Sequence, residues 1–364
     1  MKVTIEKSEL MAGINRALKA VPSKTTMPIM ECFLIEVSGN DVIITANDFE
    51  LGIETHITGM ALEDGKIALN AKMLADIVKK MPNDGIYLES DTKNITLKCK
   101  KCVFQIPGMN PNDFTPIQII EKKNGIVMKQ KLFRDMIKKT IFAVAKNENN
   151  KMMTGVNLRI KDGIMRMATV DGHRIALREE SISYTDSINV TIPGKSMEEV
   201  AKLLSENDEE MTIYLDENRI LMEIGSTVVT TRLLEGIFFD IDRIISYDWT
   251  TKIKADRSQL IAAIDRAALF IKPEDKKPVV FSMNDEHELT IEGNSTFGSV
   301  KEKLDVERDG KDLRIAFNPY FLLECMKLIE EEKIEWCLIN PKSPCFIRNE
   351  ELGYLYLVLP VNIH

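Results

Sequence analysis

Apolar and polar positions change their period along this chain in an order that recurs three times. Val3-Thr-Ile-Glu-Lys alternates like a half-buried strand, and Leu10, Ile14, Ala17 and Val21 then follow at helical spacing. Ile126-Val-Met-Lys opens in the same way and continues through Phe133, Ile137, Thr140 and Val144. Ile253-Lys-Ala-Asp opens a third time, continuing through Leu260, Ile264, Ala267 and Ile271. Each segment reads as a strand entering an amphipathic helix, because one apolar face returns every 3.6 residues.

Two further blocks recur in the same order. Hairpins are predicted from Cys32-Phe-Leu-Ile-Glu-Val with Val42-Ile-Ile-Thr-Ala, from Gly155-Val-Asn-Leu-Arg-Ile with Ile164-Met-Arg-Met-Ala-Thr, and from Val279-Val-Phe-Ser-Met with Glu288-Leu-Thr-Ile-Glu, each across a short polar turn. A strand then leads into a second helix at Ala71, Lys195 and Pro319, where proline suits the first helical turn. Closing strands end with Val103-Phe-Gln-Ile-Pro, Val228-Val-Thr-Thr-Arg-Leu and Leu355-Tyr-Leu-Val-Leu-Pro. The prediction is an α+β chain in which one domain is written three times, over 1–122, 123–250 and 251–364, with two helices packed on antiparallel sheets in each. Chance likeness among amphipathic elements would not keep three blocks in one order three times.

Composition narrows the class without naming it. The chain has 364 residues, 44% of them hydrophobic and 29% charged, which is ordinary for globular domains and excludes a disordered chain. Its longest apolar runs, such as Tyr354–Pro360, fall far short of the ~20 residues that span a bilayer, and no signal stretch follows Met1. A cytoplasmic protein without membrane contact is expected. Forty-eight Lys and Arg against 56 Asp and Glu leave a net charge of -8, which argues against a chain coated in positive charge but not against one basic face. Six cysteines make no disulfide framework; Cys99-Lys-Lys-Cys102 lacks the second ligand pair a zinc site needs, so reduced structural thiols, no metal and no cofactor are expected.

Candidate chemistry is sparse. Phosphate-binding glycine loops, the Gly-x-Ser-x-Gly elbow and the His-Glu-x-x-His pair are all missing from the sequence. Thr169-Val-Asp-Gly-His-Arg174 is the one catalytic-looking run, in which Asp171 would orient His173 as a base. A tight Gly-His-Arg turn making polar contacts to a partner explains the same residues, and no nucleophile can be placed beside them. A cytosolic enzyme using Asp171 and His173, and a monomeric repeat protein that binds peptides without DNA, both stay open on these residues alone.

At these residues the chain resembles the bacterial sliding clamps, the β subunits of the replicative DNA polymerase III holoenzyme. The likeness runs end to end through Met27-Pro-Ile-Met, Asn47-Asp-Phe-Glu50, Ala168-Thr-Val-Asp-Gly-His-Arg-Ile, Ile192-Pro-Gly-Lys195, Phe239-Asp240 with Arg243, and Tyr356-Leu-Val-Leu-Pro-Val. It implies a head-to-tail homodimer of six clamp domains, closed into a ring around double-stranded DNA, opened by an ATP-driven loader and catalysing nothing. Twelve helices spaced about 8–10 Å apart would give a ring of roughly 100–120 Å circumference with about 20–28 Å of clearance, near the width of a duplex.

The same resemblance assigns residues. Partner peptides from the DNA polymerase III alpha subunit, the clamp loader delta subunit, translesion polymerases, mismatch repair proteins and ligase would share one pocket. It would be made by Met153, Val170, Gly172, His173, Arg174, Ile175, Arg243, Ile244, Asn318, Phe321, Leu357, Val358, Leu359, Pro360 and Val361, and would take extended segments carrying Gln and bulky apolar residues. Lys24, Lys72, Asn147 and Lys195 would lie on the DNA side, among helical cations that also include Arg16, Lys19, Lys79, Lys80, Arg134, Lys138, Lys139, Lys202 and Arg266, all contacting phosphates rather than bases. The acidic run Glu330–Glu332 would make the third domain's second helix less basic. Phe104 and Ile106 on an edge strand would meet Leu269 and Phe270 at the dimer seam. Three departures bear on peptide preference: Val170 replaces a frequent threonine, Phe239 replaces the usual proline, and the tail from Asn362 to His364 lacks a common basic residue.

Overall fold

The computed structural model describes residues 1–91, 93–146, 150–245, 248–269, 271, 277–284 and 287–362. Two of the predicted site residues, Asn147 and Phe270, lie outside these. Six α-helices are present among the described residues: α1 (Lys7–Ala17), α2 (Ala71–Lys80), α3 (Gln130–Ile141), α4 (Gly194–Leu203), α5 (Arg257–Ala268) and α6 (Pro319–Met326). Their starts follow local chemistry. The side chains of Asn70, Asp256 and Asn318 accept hydrogen bonds from the main-chain N–H groups of Met73, Gln259 and Tyr320, satisfying donors that the first turn leaves unpaired.

The predicted apolar faces are buried where they are helical. Leu10, Ile14 and Ala17 of α1, Phe133, Ile137 and Thr140 of α3, and Leu260, Ile264 and Ala267 of α5 are all fully covered. The last predicted positions depart from the pattern. Val21 is extended and half-buried beyond a short 3-10 turn, because Pro22 disfavours helix in the residue before it. Val144 likewise lies past the end of α3. The acidic run Glu330–Glu332 falls after α6 has ended at Met326, in the turn before strand Lys333–Leu338, so it does not lie on that helix as expected.

Two compact units make up the chain, Met1–Arg134 with Lys195–Leu233, and Asp135–Gly194 with Leu234–His364. In the first, a five-stranded sheet runs in the order Met60–Glu63, Lys2–Glu6, Gly85–Ser90, Asn94–Cys99, Cys102–Pro107. An eight-stranded sheet beside it runs Ile126–Lys129, Glu210–Leu215, Arg219–Ile224, Thr227–Arg232, Leu51–Thr58, Asp41–Asn47, Cys32–Ser38, Gly65–Asn70. In the second unit, nine strands run Ile188–Pro193, Gly155–Lys161, Ile164–Val170, Arg174–Ser181, Tyr354–Val358, Cys345–Asn349, Lys333–Leu338, Thr251–Asp256, Glu307–Gly310. Its other sheet has four, in the order Gly298–Asp305, Glu288–Ser295, Val279–Met283, Leu313–Phe317.

One rule orders the eight- and nine-stranded sheets. Each repeat contributes an opening block of hairpin strands and a closing block, and the closing block of one repeat hydrogen-bonds to the opening block of the repeat before it. Thr227–Arg232 pairs antiparallel with Leu51–Thr58, and Tyr354–Val358 pairs antiparallel with Arg174–Ser181. The middle repeat is therefore shared between the two units, its closing strands in the first and its opening strands in the second.

Candidate partner cleft and DNA face

The cleft begins at a turn. Gly172 sits at φ 84°, a conformation that costs other residues but not glycine. The Asp171 carboxylate accepts from the N–H groups of His173 (3.0 Å) and Arg174 (3.1 Å) and from Arg174 Nε (2.8 Å). Its capacity is spent on the main chain and the guanidinium, and among the described residues no hydrogen bond joins it to the His173 ring. A base with an orienting carboxylate is therefore not what this turn builds.

Arg174 is the hub. Only 7% of it is exposed. Its Nη1 bonds Glu324 of α6, its Nη2 donates to the Phe142 carbonyl at 2.8 Å, and its plane lies 4.4 Å above the Phe321 ring. Burial opposes that charge, but Tyr356 and the carboxylates of Glu324 and Asp171 outweigh it and keep the guanidinium protonated. The His173 ring stacks on Phe321 from outside, centroids 5.9 Å apart. Asp171, His173, Arg174, Phe321 and Glu324, together with Lys146, Asn318 and Tyr320, line a cleft of about 340 Å³. Asn318 itself is engaged in capping α6.

The apolar members of the predicted pocket lie nearby in one cluster. Val170, Ile175 and Leu357 are buried together with Ile241, while Phe238, Phe239 and Ile245 cover them partly. Arg243 and Ile244 stand on the rim, Ile244 being 46% exposed and Arg243 paired with Asp240 at 2.7 Å. Val358 is fully buried, and exposed Leu359 donates its N–H to the His173 carbonyl at 2.8 Å. Val361 donates to the Ala316 carbonyl, Pro360 is half-buried, and Met153 sits half-buried in the 3-10 turn Lys151–Thr154. Sequence reasoning missed Glu324, Phe142, Tyr320 and Ile241. Glu324 could have been found, since it stands one helical turn from Phe321 and so shares its face.

The predicted DNA-side cations fall mostly into two sets, Arg16 instead donating to the Ser226 hydroxyl at 3.3 Å. Lys19 and Lys202 both reach Glu199, Arg134 reaches Glu206, Arg266 forks onto Glu302, and Lys139, only 9% exposed, pairs with Asp135 at 3.0 Å. Lys139 is thus not the outward-facing cation expected, because its own helix supplies an acid one turn earlier. Lys24, Lys72, Lys79, Lys80 and Lys195 are exposed, and among the described residues none has an ion-pair partner. Lys72 and Lys195 occupy the second position of α2 and α4, where the helix field already favours anions and a lysine is locally unfavourable. Tyr320 holds that position in α6.

At the free sheet edge, Val103 (59% exposed) and Phe104 (38%) face outward. Ile106 is buried opposite Ile95, so the exposed pair is Val103 with Phe104 rather than Phe104 with Ile106. Leu269, just past α5, is 78% exposed. The six cysteines are free thiols, with Cys102 exposed and the others buried. No helix among the described residues is long and apolar enough to cross a membrane, and no cluster of metal-ligating side chains is found there.

A repeated two-helix unit with a polar–aromatic cleft and unpaired lysines at helix starts defines a binding scaffold. Models of the N-terminal, central and C-terminal domains of the DNA polymerase III beta subunit match residues 1–118, 127–240 and 242–362. The chain is 30% identical to the beta sliding clamp of Bacillus subtilis and 27% to that of Staphylococcus aureus, each over the full length of both proteins. Its fold matches a DNA polymerase III beta subunit from Eubacterium rectale (40% identity, all of this chain and 99% of that one, TM-score 0.95) and the Bacillus subtilis clamp (29%, both chains complete, TM-score 0.96). The chain belongs to the bacterial beta sliding clamp family, and it is a processivity clamp of DNA replication.

Proposed function

We propose that two copies of this chain close head to tail into a ring that slides on duplex DNA without reading its sequence. The pairing rule of the sheets carries this reading. Applied once more, it leaves two strands without their partner: Cys102–Pro107, the closing strand of the first repeat, and Gly298–Asp305, the matching opening strand of the third. Unpaired edges invite a further chain, and a heterologous contact must either close or polymerise. By the register of the two internal seams, Phe104 would lie opposite Val300 of a second copy and Val103 opposite Lys301. Phe104 and Leu269 are covered in that seam, Ile106 backs it from inside, and Phe270 belongs to it by position. The domains are those of the sequence, 1–122, 123–250 and 251–364.

Lys24, Lys72, Asn147 and Lys195 face the duplex in this reading, their contacts going to phosphates so that sliding is unimpeded. The cleft at His173, Arg174 and Phe321, together with the Val170–Ile175–Leu357 cluster and its rim, receives extended peptides. Its ligands are the polymerase alpha subunit, the loader delta subunit, translesion polymerases, mismatch repair proteins and ligase. The clamp of Pseudomonas aeruginosa, 25% identical, has been solved with griselimycin bound, which supports a ligand-accepting surface in this fold. The protein acts in the cytoplasm and has no catalytic site of its own.

Native mass and retention on nicked circular DNA test the ring. The expected mass is twice 41.3 kDa, with retention lost when the circle is linearised. Phe104→Asp combined with Leu269→Asp should halve the mass and abolish retention. An unchanged mass would refute the seam.

A further inference from the structure

We infer that Asp242 is a positioning residue for the partner-peptide site, clasping two facing arginines and so fixing the short turn that carries Ile241, Arg243 and Ile244. The inference deepens the peptide-pocket reading above and rests on it.

Strands Gly155–Lys161 and Ile164–Val170 pair so that Arg159 lies directly opposite Arg166. Like charges facing each other across a sheet repel. Arg166 has Glu179 opposite it on the next strand, bonded to its Nε at 2.5 Å. On its other side Arg159 faces Asn189, which is neutral. Asp242 supplies the missing charge from outside the sheet: its Oδ2 accepts from Arg159 Nη1 at 2.8 Å and its Oδ1 from Arg166 Nη1. One oxygen to each guanidinium fixes orientation as well as distance. The Arg166 bond, helped by Arg159, holds the Asp242 carboxyl below its ordinary range.

The face that carries this clasp also carries the apolar cluster. Arg166, Ala168 and Val170 alternate onto one side of their strand, opposite Glu179, Leu177 and Ile175. Ile241 is seated at the apolar end of that face and Asp242, the next residue, at its charged end. Arg243 and Ile244 are thereby left pointing outward on the rim. Among the described residues the main-chain hydrogen bonds of the turn are local, from the Ile241 N–H to the Phe239 carbonyl at 3.0 Å and from the N–H groups of Ile244 and Ile245 to the Ile241 carbonyl at 2.9 and 3.2 Å. Arg243 pairs with Asp240 within the same segment, which does not tie it to the sheet.

Asp242→Asn keeps the shape, removes the charge and leaves the two arginines to repel. Binding of a fluorescein-labelled Gln-Leu-Ala-Leu-Phe peptide to the full chain, well below its thermal midpoint, reads the pocket; amide hydrogen exchange at Ile244 and Ile245 reads the turn. Asp242→Asn should weaken binding by about tenfold, because only a fraction of turns would hold the binding geometry. It should also speed exchange at both amides. Asp242→Glu should recover part of the affinity, which a merely structural loss would not predict. If Asp242→Asn does not fold, Arg159→Gln, which removes one arm, should give a smaller loss of the same sign. No binding by the unaltered chain overturns the pocket reading and this inference with it. Binding by the unaltered chain, with Asp242→Asn within about twofold of it and exchange unchanged, overturns the clasp alone.

Discussion

The two seams inside this chain share a backbone pattern and make opposite side-chain choices. In the first, Leu51, Thr231 and Ser196 occupy the strand, strand and helix positions that Arg174, Val358 and Phe321 occupy in the second. Leu51 is buried, and the Ser196 and Thr231 hydroxyls meet at 2.8 Å in the interior. The side chains of Ile117 and Thr230 fill the room above Gly52, and Asn47 Nδ2 ties the connecting segment down through the Thr115 carbonyl at 3.1 Å. That seam is sealed. In the second, a guanidinium takes the place of a leucine and an aromatic ring that of a serine, and Arg174 can be buried there only because Asp171, Glu324 and the Phe142 carbonyl surround it. His173 then has a ring to stack on, and a cleft remains. The pairing rule decides where a seam runs; a few side chains decide whether it is filler or a binding surface.

The comparison breaks most sharply at Arg174. Arg174→Ala should lower unfolding free energy by about 3 kcal/mol, because it strands a half-buried acid and removes the ring contact with Phe321. Peptide binding should be lost in the same variant. Urea unfolding and peptide titration check it; a folded variant that binds normally would mean that Arg174 is not the hub. At the sealed seam, Ser196→Ala should cost about 1–2 kcal/mol by leaving the buried Thr231 hydroxyl short of a partner. Peptide affinity should not move. A change in affinity there would show that the two seams are coupled.

Much of this was legible in the sequence for physical reasons that also mark its limit. Helical and strand periods report which face of an element is buried, so α1, α3, α5 and their strands were predictable from Leu10, Phe133 and Leu260 onward. Period says nothing about which strand lies alongside. The pairing of Thr227–Arg232 with Leu51–Thr58 joins residues from different repeats and could not be read in advance. Ion pairs divide in the same way. Asp135 and Lys139 are one helical turn apart and their pairing was available to inspection, whereas Arg134 meets Glu206 only through the fold. Ile106 shows a third limit: alternation put it on one face with Phe104, yet this edge strand exposes its first four residues, Cys102 to Gln105, and covers Ile106.

The smallest effect concerns the seam that one chain leaves open. Cys102, Thr227 and Tyr354 hold the same place at the start of the three closing strands. Thr227 is 2% exposed and Tyr354 5%, each covered within its seam, whereas Cys102 is exposed. A maleimide should therefore label Cys102 first. The rival thiols resist for a separate reason, since burial, with a minor contribution from Glu31, pushes Cys32 up to about 11, and burial lifts Cys325 to about 12. If a second copy supplies Gly298–Asp305, labelling of Cys102 should slow severalfold as protein concentration rises through the dimer range, because the closed seam gives it the cover that Thr227 and Tyr354 already have. Phe104→Asp with Leu269→Asp should remove that concentration dependence and leave the fast rate. A labelling rate independent of concentration in the unaltered chain, measured where its native mass is that of a dimer, would show that the dimer forms through some other edge.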